Sequence, residues 1–320
     1  MNSASIIAFQ AVVMFILLLV GYLLYKRKLL GEDAAKQLSN IALSVINPIV
    51  IFNAYQKDFN SRLAIGLLYA VILALVSQAV LVLAAKMAVR KKNENFRIER
   101  FALAYSNCAF MGIPLVEATF GSEGVFYLTA YITAFNLFMW THGVVLMSGE
   151  SGKTPAERAK SLLKILISPS IIAIILGLLC FFIGIRMPSI IALPLEYLGS
   201  MNTPLAMLVS GATIAKAGIL KGFKCPRIYF LQLFKLIIVP MLLALLFIPV
   251  RMAGVSSIIT NVVLIAAAAP TASATIMFSY KYNRDAEYAS GHFALSTIAG
   301  VLTMPLVLAF SDWLGSIFGL

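Results

Sequence analysis

The sequence predicts an all-α membrane protein of ten transmembrane helices, arranged as two five-span halves of opposite orientation. Three observations predict it. The chain has 320 residues, of which 61% are hydrophobic and 12% charged, whereas a soluble domain is about half apolar and one quarter charged. Apolar stretches close to the ~20 residues that a helix needs to cross the hydrocarbon core recur along its whole length. Lys and Arg alternate between crowded and nearly empty loops, the signature of successive membrane crossings.

The spans are placed at 6–25, 38–54, 63–87, 101–119, 125–147, 165–185, 190–215, 228–249, 257–280 and 291–311. Span 1 follows "MNSASIIAFQ", which lacks the basic segment of a secretory leader and is therefore read as a retained helix. Spans 2, 4, 7 and 9 carry Pro or Gly at mid-depth: Asn47-Pro48, Gly112 with Pro114, Thr203-Pro204, and Pro270 within "AAAAPTASA". The remaining spans are uninterrupted in this reading. The intervening loops leave no room for a soluble domain. The expected organisation is a first repeat at 1–150, a cytoplasmic loop at 151–164 and a second repeat at 165–320.

Of the 25 basic residues, twenty fall in loops following odd-numbered spans. Four (Lys57, Arg62, Arg186, Arg251) fall on the other side, and Lys235 lies inside span 8. The positive-inside rule then puts both termini outside and the odd-numbered loops in the cytoplasm, as in a multi-pass cell-membrane protein. The formal net charge of +12 is thus a topology signal. No basic face interleaved with stacking aromatics points to nucleic acid as a partner; lipid is the expected surroundings.

A repeat underlies the ten spans. Asn47-Pro48 and Thr203-Pro204 are 156 residues apart, as are Pro114 and Pro270, Gly21 and Gly177, and Ser44 and Ser200. Inverted repeats with paired broken helices are the pattern of secondary transporters. A backbone break in hydrocarbon strands amides and carbonyls at several kcal/mol each unless protein or a hydrated cavity receives them. Half-helix N-termini offer free N–H groups and a partial positive charge to an anion. Asn107, Gly112, Pro114, Pro270, Thr271 and Ser273 are therefore the candidate lining of a pocket, and Asn53, at the end of span 2, is added to it.

Other polar residues leave alternatives open. Glu117 is either a buried proton carrier or a side chain reaching the outer interface. Lys235 is either an interior charge that attracts anions or a residue reaching toward the cytoplasm. His142 and His292 are candidates for titration near neutrality or for helix-packing hydrogen bonds. Gln78, Asn202 and Asn261 suit helix–helix hydrogen bonds. Cys108, Cys180 and Cys225 have no metal or redox spacing, so no metal or cofactor is expected. "GESG" at 149–152 lacks the strand–turn–helix setting of a hydrolase elbow, and neither H-E-x-x-H nor a nucleotide-binding loop occurs, so an enzyme is not expected.

"SNCAFMGIPLVEATFG", Asn136 followed by "WTHG" at 140–143, and "APTASATIMFSYKYNRDAEYASGHFALSTIAGVLTMPL" together resemble the fourth, fifth, ninth and tenth helices of the auxin efflux carrier family. That resemblance implies an inverted-repeat fold whose fourth and ninth helices cross. It implies a homodimer with a scaffold of helices 1, 2, 6 and 7, and an elevator-like transport part of helices 3–5 and 8–10. It further implies carboxylate substrates such as malonate or malate, with Asn107 and Asn136 in the pocket. The chain lacks the long hydrophilic loop of the plant members, and Asn136 stands where those members tend to have Gln. A ligand sensor built on the same fold is the alternative reading.

Overall fold

The computed structural model describes residues 3–149, 167–216 and 225–319; the expected loop at 151–164 lies outside them. Nearly all described residues are helical. The helices are α1 (Ser3–Lys26), α2 (Glu32–Ala54), α3 (Ser61–Ala88), α4 (Phe96–Ala104), α5 (Cys108–Ser148), α6 (Pro169–Ile183), α7 (Ser189–Ser200), α8 (Asn202–Lys216), α9 (Pro226–Met252), α10 (Ser257–Ala268), α11 (Ala274–Lys281) and α12 (Ala286–Ile317). Five of them, α2, α3, α5, α9 and α12, are long and apolar enough to cross a membrane. Shorter apolar helices occupy Val12–Lys26, Pro169–Ile183 and Ser257–Ala268.

Local chemistry sets several boundaries. The Asn60, Ser256 and Asp285 side chains accept from the backbone N–H of Arg62, Ile258 and Tyr288 and cap α3, α10 and α12. Pro169 and Pro226 sit in the first turns of α6 and α9, where a missing N–H costs nothing. The 41 residues of α5 would run about 60 Å as one rod, twice the hydrocarbon thickness. Gly121 interrupts it at φ 62°, ψ −157°, a conformation essentially reserved for glycine. The expected junction of spans 4 and 5 falls at this residue.

Among the described residues four short stretches are wound more widely than an α-helix, with i→i+5 hydrogen bonds: Ala42–Ile46, Cys108–Gly112, Met139–Gly143 and Phe234–Ile238. Three of these end two residues before a proline, namely Pro48, Pro114 and Pro240. A proline ring cannot donate to the carbonyl four residues back and collides with it, so the preceding turn opens. Two expectations are corrected by this. Span 2 is widened at Asn47-Pro48, not broken. Span 4 is broken at Tyr105–Asn107, several residues before Gly112 and Pro114, which instead belong to the wide turn that follows the break. Span 7 divides between α7 and α8 at Met201, and span 9 divides at Ala269–Ser273.

The outer surface is greasy, and the buried polar groups, among them Asn47, Gln78, Glu99, Lys235 and His292, sit within an apolar core. Ile190, Leu302 and Leu68 are largely exposed, as suits lipid contact. The inward face of α3 carries Gly66, Ala70, Ala74, Ser77, Ala84 and Ala85 beside Leu73, Gln78 and Leu81, and its small residues let membrane helices approach. α1 and α8 touch backbone to backbone: a Cβ on Gly211 would stand 2.0 Å from the Leu18 carbonyl oxygen, and one on Gly21 2.3 Å from that of Leu208. Gly177 of α6 receives the ring of Tyr55, the residue that ends α2. Arg251, buried at the end of α9, donates to Thr260, Asn261 and Ser311, so α9, α10 and α12 share one polar knot.

Candidate functional site

Spans 4 and 9 are both interrupted, and the two interruptions meet. Ser106 and Thr271 form an isolated antiparallel bridge, the Asn107 N–H donating to the Pro270 carbonyl at 2.6 Å and the Ala272 N–H to the Tyr105 carbonyl at 3.0 Å. Two side-chain bonds repeat the same symmetry. The Ser106 hydroxyl donates to the Ala267 carbonyl at 2.9 Å and the Thr271 hydroxyl to the Ala102 carbonyl at 3.2 Å. The Thr271 N–H is received by the Ser296 hydroxyl of α12 at 3.0 Å. Residues related across this crossing are 165 apart, so the 156-residue offset that pairs Pro114 with Pro270 does not describe the break itself.

A severed helix leaves its last four carbonyls without partners. At the end of α4 each is accounted for. Phe101 accepts from the Tyr105 N–H, Ala102 from the Thr271 hydroxyl, Leu103 from the Lys235 ammonium at 3.1 Å, and Ala104 from the Gln78 amide at 2.8 Å. The distance in sequence between these donors explains why the break could not be located from its own residues.

Beside the crossing lies a cavity of about 460 Å³. The second halves of both broken spans start on its wall, α5 at Cys108 and α11 at Ala274, so two helix N-termini converge there. Asn107, Asn136 and Ser273 line it. Asn107 is buried and its amide N–H₂ has no partner. Asn47 also lines the cavity, and neither its amide nitrogen nor its oxygen is paired. Buried polar atoms are normally hydrogen-bonded, so these unpaired atoms leave the cavity wall with groups free to meet water or a ligand. The Asn136 amide donates to the Ile132 carbonyl of its own helix at 2.8 Å. Among the described residues the lining contains Lys36 and no Asp or Glu.

The other candidates fall elsewhere. Thr271 is wholly buried with its hydroxyl and N–H already committed, so it frames the cavity and does not line it. The Pro270 ring lies against Gly300 of α12, where a Cβ would come within 2.4 Å of it. Gly112 and Pro114 shape the turn leading into α5. Asn53 and Glu117 line a different cavity, of about 520 Å³, together with Arg186 and Glu196. His142 faces Tyr105, Nδ1 to hydroxyl 2.8 Å, while that hydroxyl donates to the Phe138 carbonyl. Lys235 neither reaches an interface nor faces the cavity; it is fully buried behind Ser106. A further cavity of about 410 Å³ shares Lys36, Ser39, Asn40, Thr213 and Ile276 with the first, and the Lys216–Glu32 ion pair stands on its wall.

Sequence reasoning missed Asn47, Ser106, Ser296 and Lys36 as contributors. Asn47 carried a signal, an amide directly before a proline within an apolar span. Ser106 and Ser296 lay within the stretches that carry the family resemblance, but were not named as pocket residues. Among the described residues no cluster of three or more His, Cys, Asp or Glu is placed to hold a metal.

Comparison with known proteins adds a second line of evidence. The family model described as "Membrane transport protein" matches residues 6–308. The chain is 25% identical over 311 residues to an uncharacterized transporter of Methanothermobacter thermautotrophicus, covering 91% of this chain and 94% of that one. It is 26% identical over 310 residues to an uncharacterized transporter of Methanocaldococcus jannaschii, covering 92% and 95%.

Proposed function

Because the chain belongs to the membrane transport protein family, the family of the auxin efflux carriers, we propose that it is a secondary transporter of small organic anions, carboxylates such as malonate or malate. The observation that carries this reading is the cavity at the crossing. Two helix N-termini, the unpaired Asn107 and Asn47 amides and the Ser273 hydroxyl surround about 460 Å³, and among the described residues no carboxylate faces in. Such a wall offers donors and partial positive charge to a carboxylate and has nothing to balance a cation.

In this reading α4 with the first part of α5 is one crossing, and the rest of α5 is another. α7 with α8 and α10 with α11 each form one more, for ten in all. The α1–α8 and α2–α6 contacts are equivalent under the inverted repeat, with Gly21 and Gly177 in matching roles. They belong to a scaffold that carries the homodimer contact, and the crossing rides on the remaining helices as an elevator between the two faces of the cell membrane. The termini lie outside. The membrane potential, about 2.3 kcal/mol per charge per 100 mV, drives an anion outward without a co-ion. The family and both relatives favour a transporter over an enzyme and over a sensor without flux.

The test is uptake of labelled malonate, malate and an aromatic acid into proteoliposomes under imposed potential, proton and sodium gradients. Saturable flux of at least one carboxylate, responding to potential, is expected. Binding of a carboxylate with no flux, or flux of neutral or cationic solutes only, would overturn the reading.

A further inference from the structure

Lys235 sits in mid-α9 with no exposed surface. Its ammonium donates to the Leu103 carbonyl and to the Ser106 hydroxyl oxygen, each at 3.1 Å. The Ser106 proton is used on the Ala267 carbonyl, so Ser106 receives from Lys235 and both contacts are donations by the ammonium. Among the described residues no carboxylate forms an ion pair with it. A lysine at mid-span is expensive and is found where it meets backbone carbonyls or serves a function. Here its partners are the Leu103 carbonyl at the negative end of the severed α4 and the Ser106 hydroxyl of the crossing, two oxygens that face the ammonium charge. The wide turn Phe234–Ile238 adds the extra residue that re-aims the α9 face at this point. Lys235 does not line the cavity on which the transport reading rests.

We propose that Lys235 is a tethered cation. Its ammonium fills an oxygen-lined site at the crossing that would otherwise take a free monovalent cation. The charge it fixes behind Ser106 lets the adjoining cavity accept an anion with no sodium ion bound. The last step rests on the anion-transport reading; the cation site itself does not.

Two readouts keep these separable. The first is the thermal midpoint of the purified, detergent-solubilised protein in sodium, methylammonium or choline chloride at equal ionic strength. The second is malonate flux in the same salts. Wild type is expected to melt and transport equally in all three. K235A, which empties the site, is expected to melt lower in choline, and to recover part of the loss in methylammonium or sodium. Its flux should fall about ten- to thirtyfold in choline, the scale of a lost charge at a partly buried helix end, and be rescued by the same ions. K235M fills the volume without charge, and is expected to lose flux with no rescue. A wild type stimulated by sodium, a folded K235A indifferent to all three ions, or a K235M with wild-type flux would each overturn the proposal. If both variants fail to fold, the sodium response of wild type decides. If wild type moves no malonate, the melting of K235A still reads the cation site, and only the transport reading falls.

Discussion

Replacing Asn107 with alanine is expected to weaken substrate binding while leaving the fold intact, and the neighbouring Ser106→Ala to do the reverse. The Asn107 backbone carries the bridge to Pro270, and alanine preserves it. The side-chain amide N–H₂ has no partner and stands on the cavity wall, so its removal breaks no bond within the protein. A hydrogen bond from such a group to a charged ligand contributes about 1.5–3 kcal/mol, roughly a ten- to hundredfold rise in KM for carboxylate uptake. Ser106→Ala removes the donor to Ala267 and one of the two acceptors of Lys235. An orphaned buried carbonyl and a lost bond to a charged group together cost about 2.5–6 kcal/mol. The assay pairs initial-rate uptake in proteoliposomes with thermal melting in detergent. Asn107→Ala should melt with wild type and show the raised KM; Ser106→Ala should melt well below both. An Asn107 variant with unchanged KM, or one that melts as low as the Ser106 variant, would refute the assignment of adjacent residues to opposite tasks.

Other perturbations test the frame around the site. Thr271→Val, nearly isosteric, leaves Ala102 without a donor and should lower stability by about 1–3 kcal/mol with KM unchanged; a raised KM at wild-type stability would restore Thr271 as a ligand contact. Gly300→Ala places a Cβ within 2.4 Å of the Pro270 ring, so the crossing must shift; flux should fall severalfold and melting drop by about 1–3 kcal/mol, and wild-type behaviour in both would show that α12 does not hold Pro270 in place. Pro114→Ala restores an N–H toward the Phe110 carbonyl and should let Cys108–Gly112 tighten to an α-turn. Stability is expected to hold or rise while uptake falls, because tightening the turn rotates the cavity wall at Cys108–Phe110. Unchanged uptake would remove the wide turn from function.

Composition and loop charge were enough to read an all-helical membrane protein from the sequence, because lipid tolerates only backbones that satisfy themselves within each span. The prolines marked regions of altered winding for an equally local reason: a missing N–H acts on the carbonyl one turn back. The place of the break was different. Gly112 and Pro114 suggested it, yet the chain opens at Tyr105–Asn107, because there Gln78 and Lys235 from two other helices and Thr271 from the break in span 9 take the carbonyls that a severed helix exposes. Asn136 and Asn107 were legible as pocket residues through their family context and their polarity in an apolar span; Asn53 and Glu117 had the same polarity and line another cavity. Polarity in a span is a property of the sequence. Which cavity receives it, and whether a donor is left unpaired for a guest or consumed by a neighbour, depends on contacts between residues far apart in the chain, and only the folded molecule brings those together.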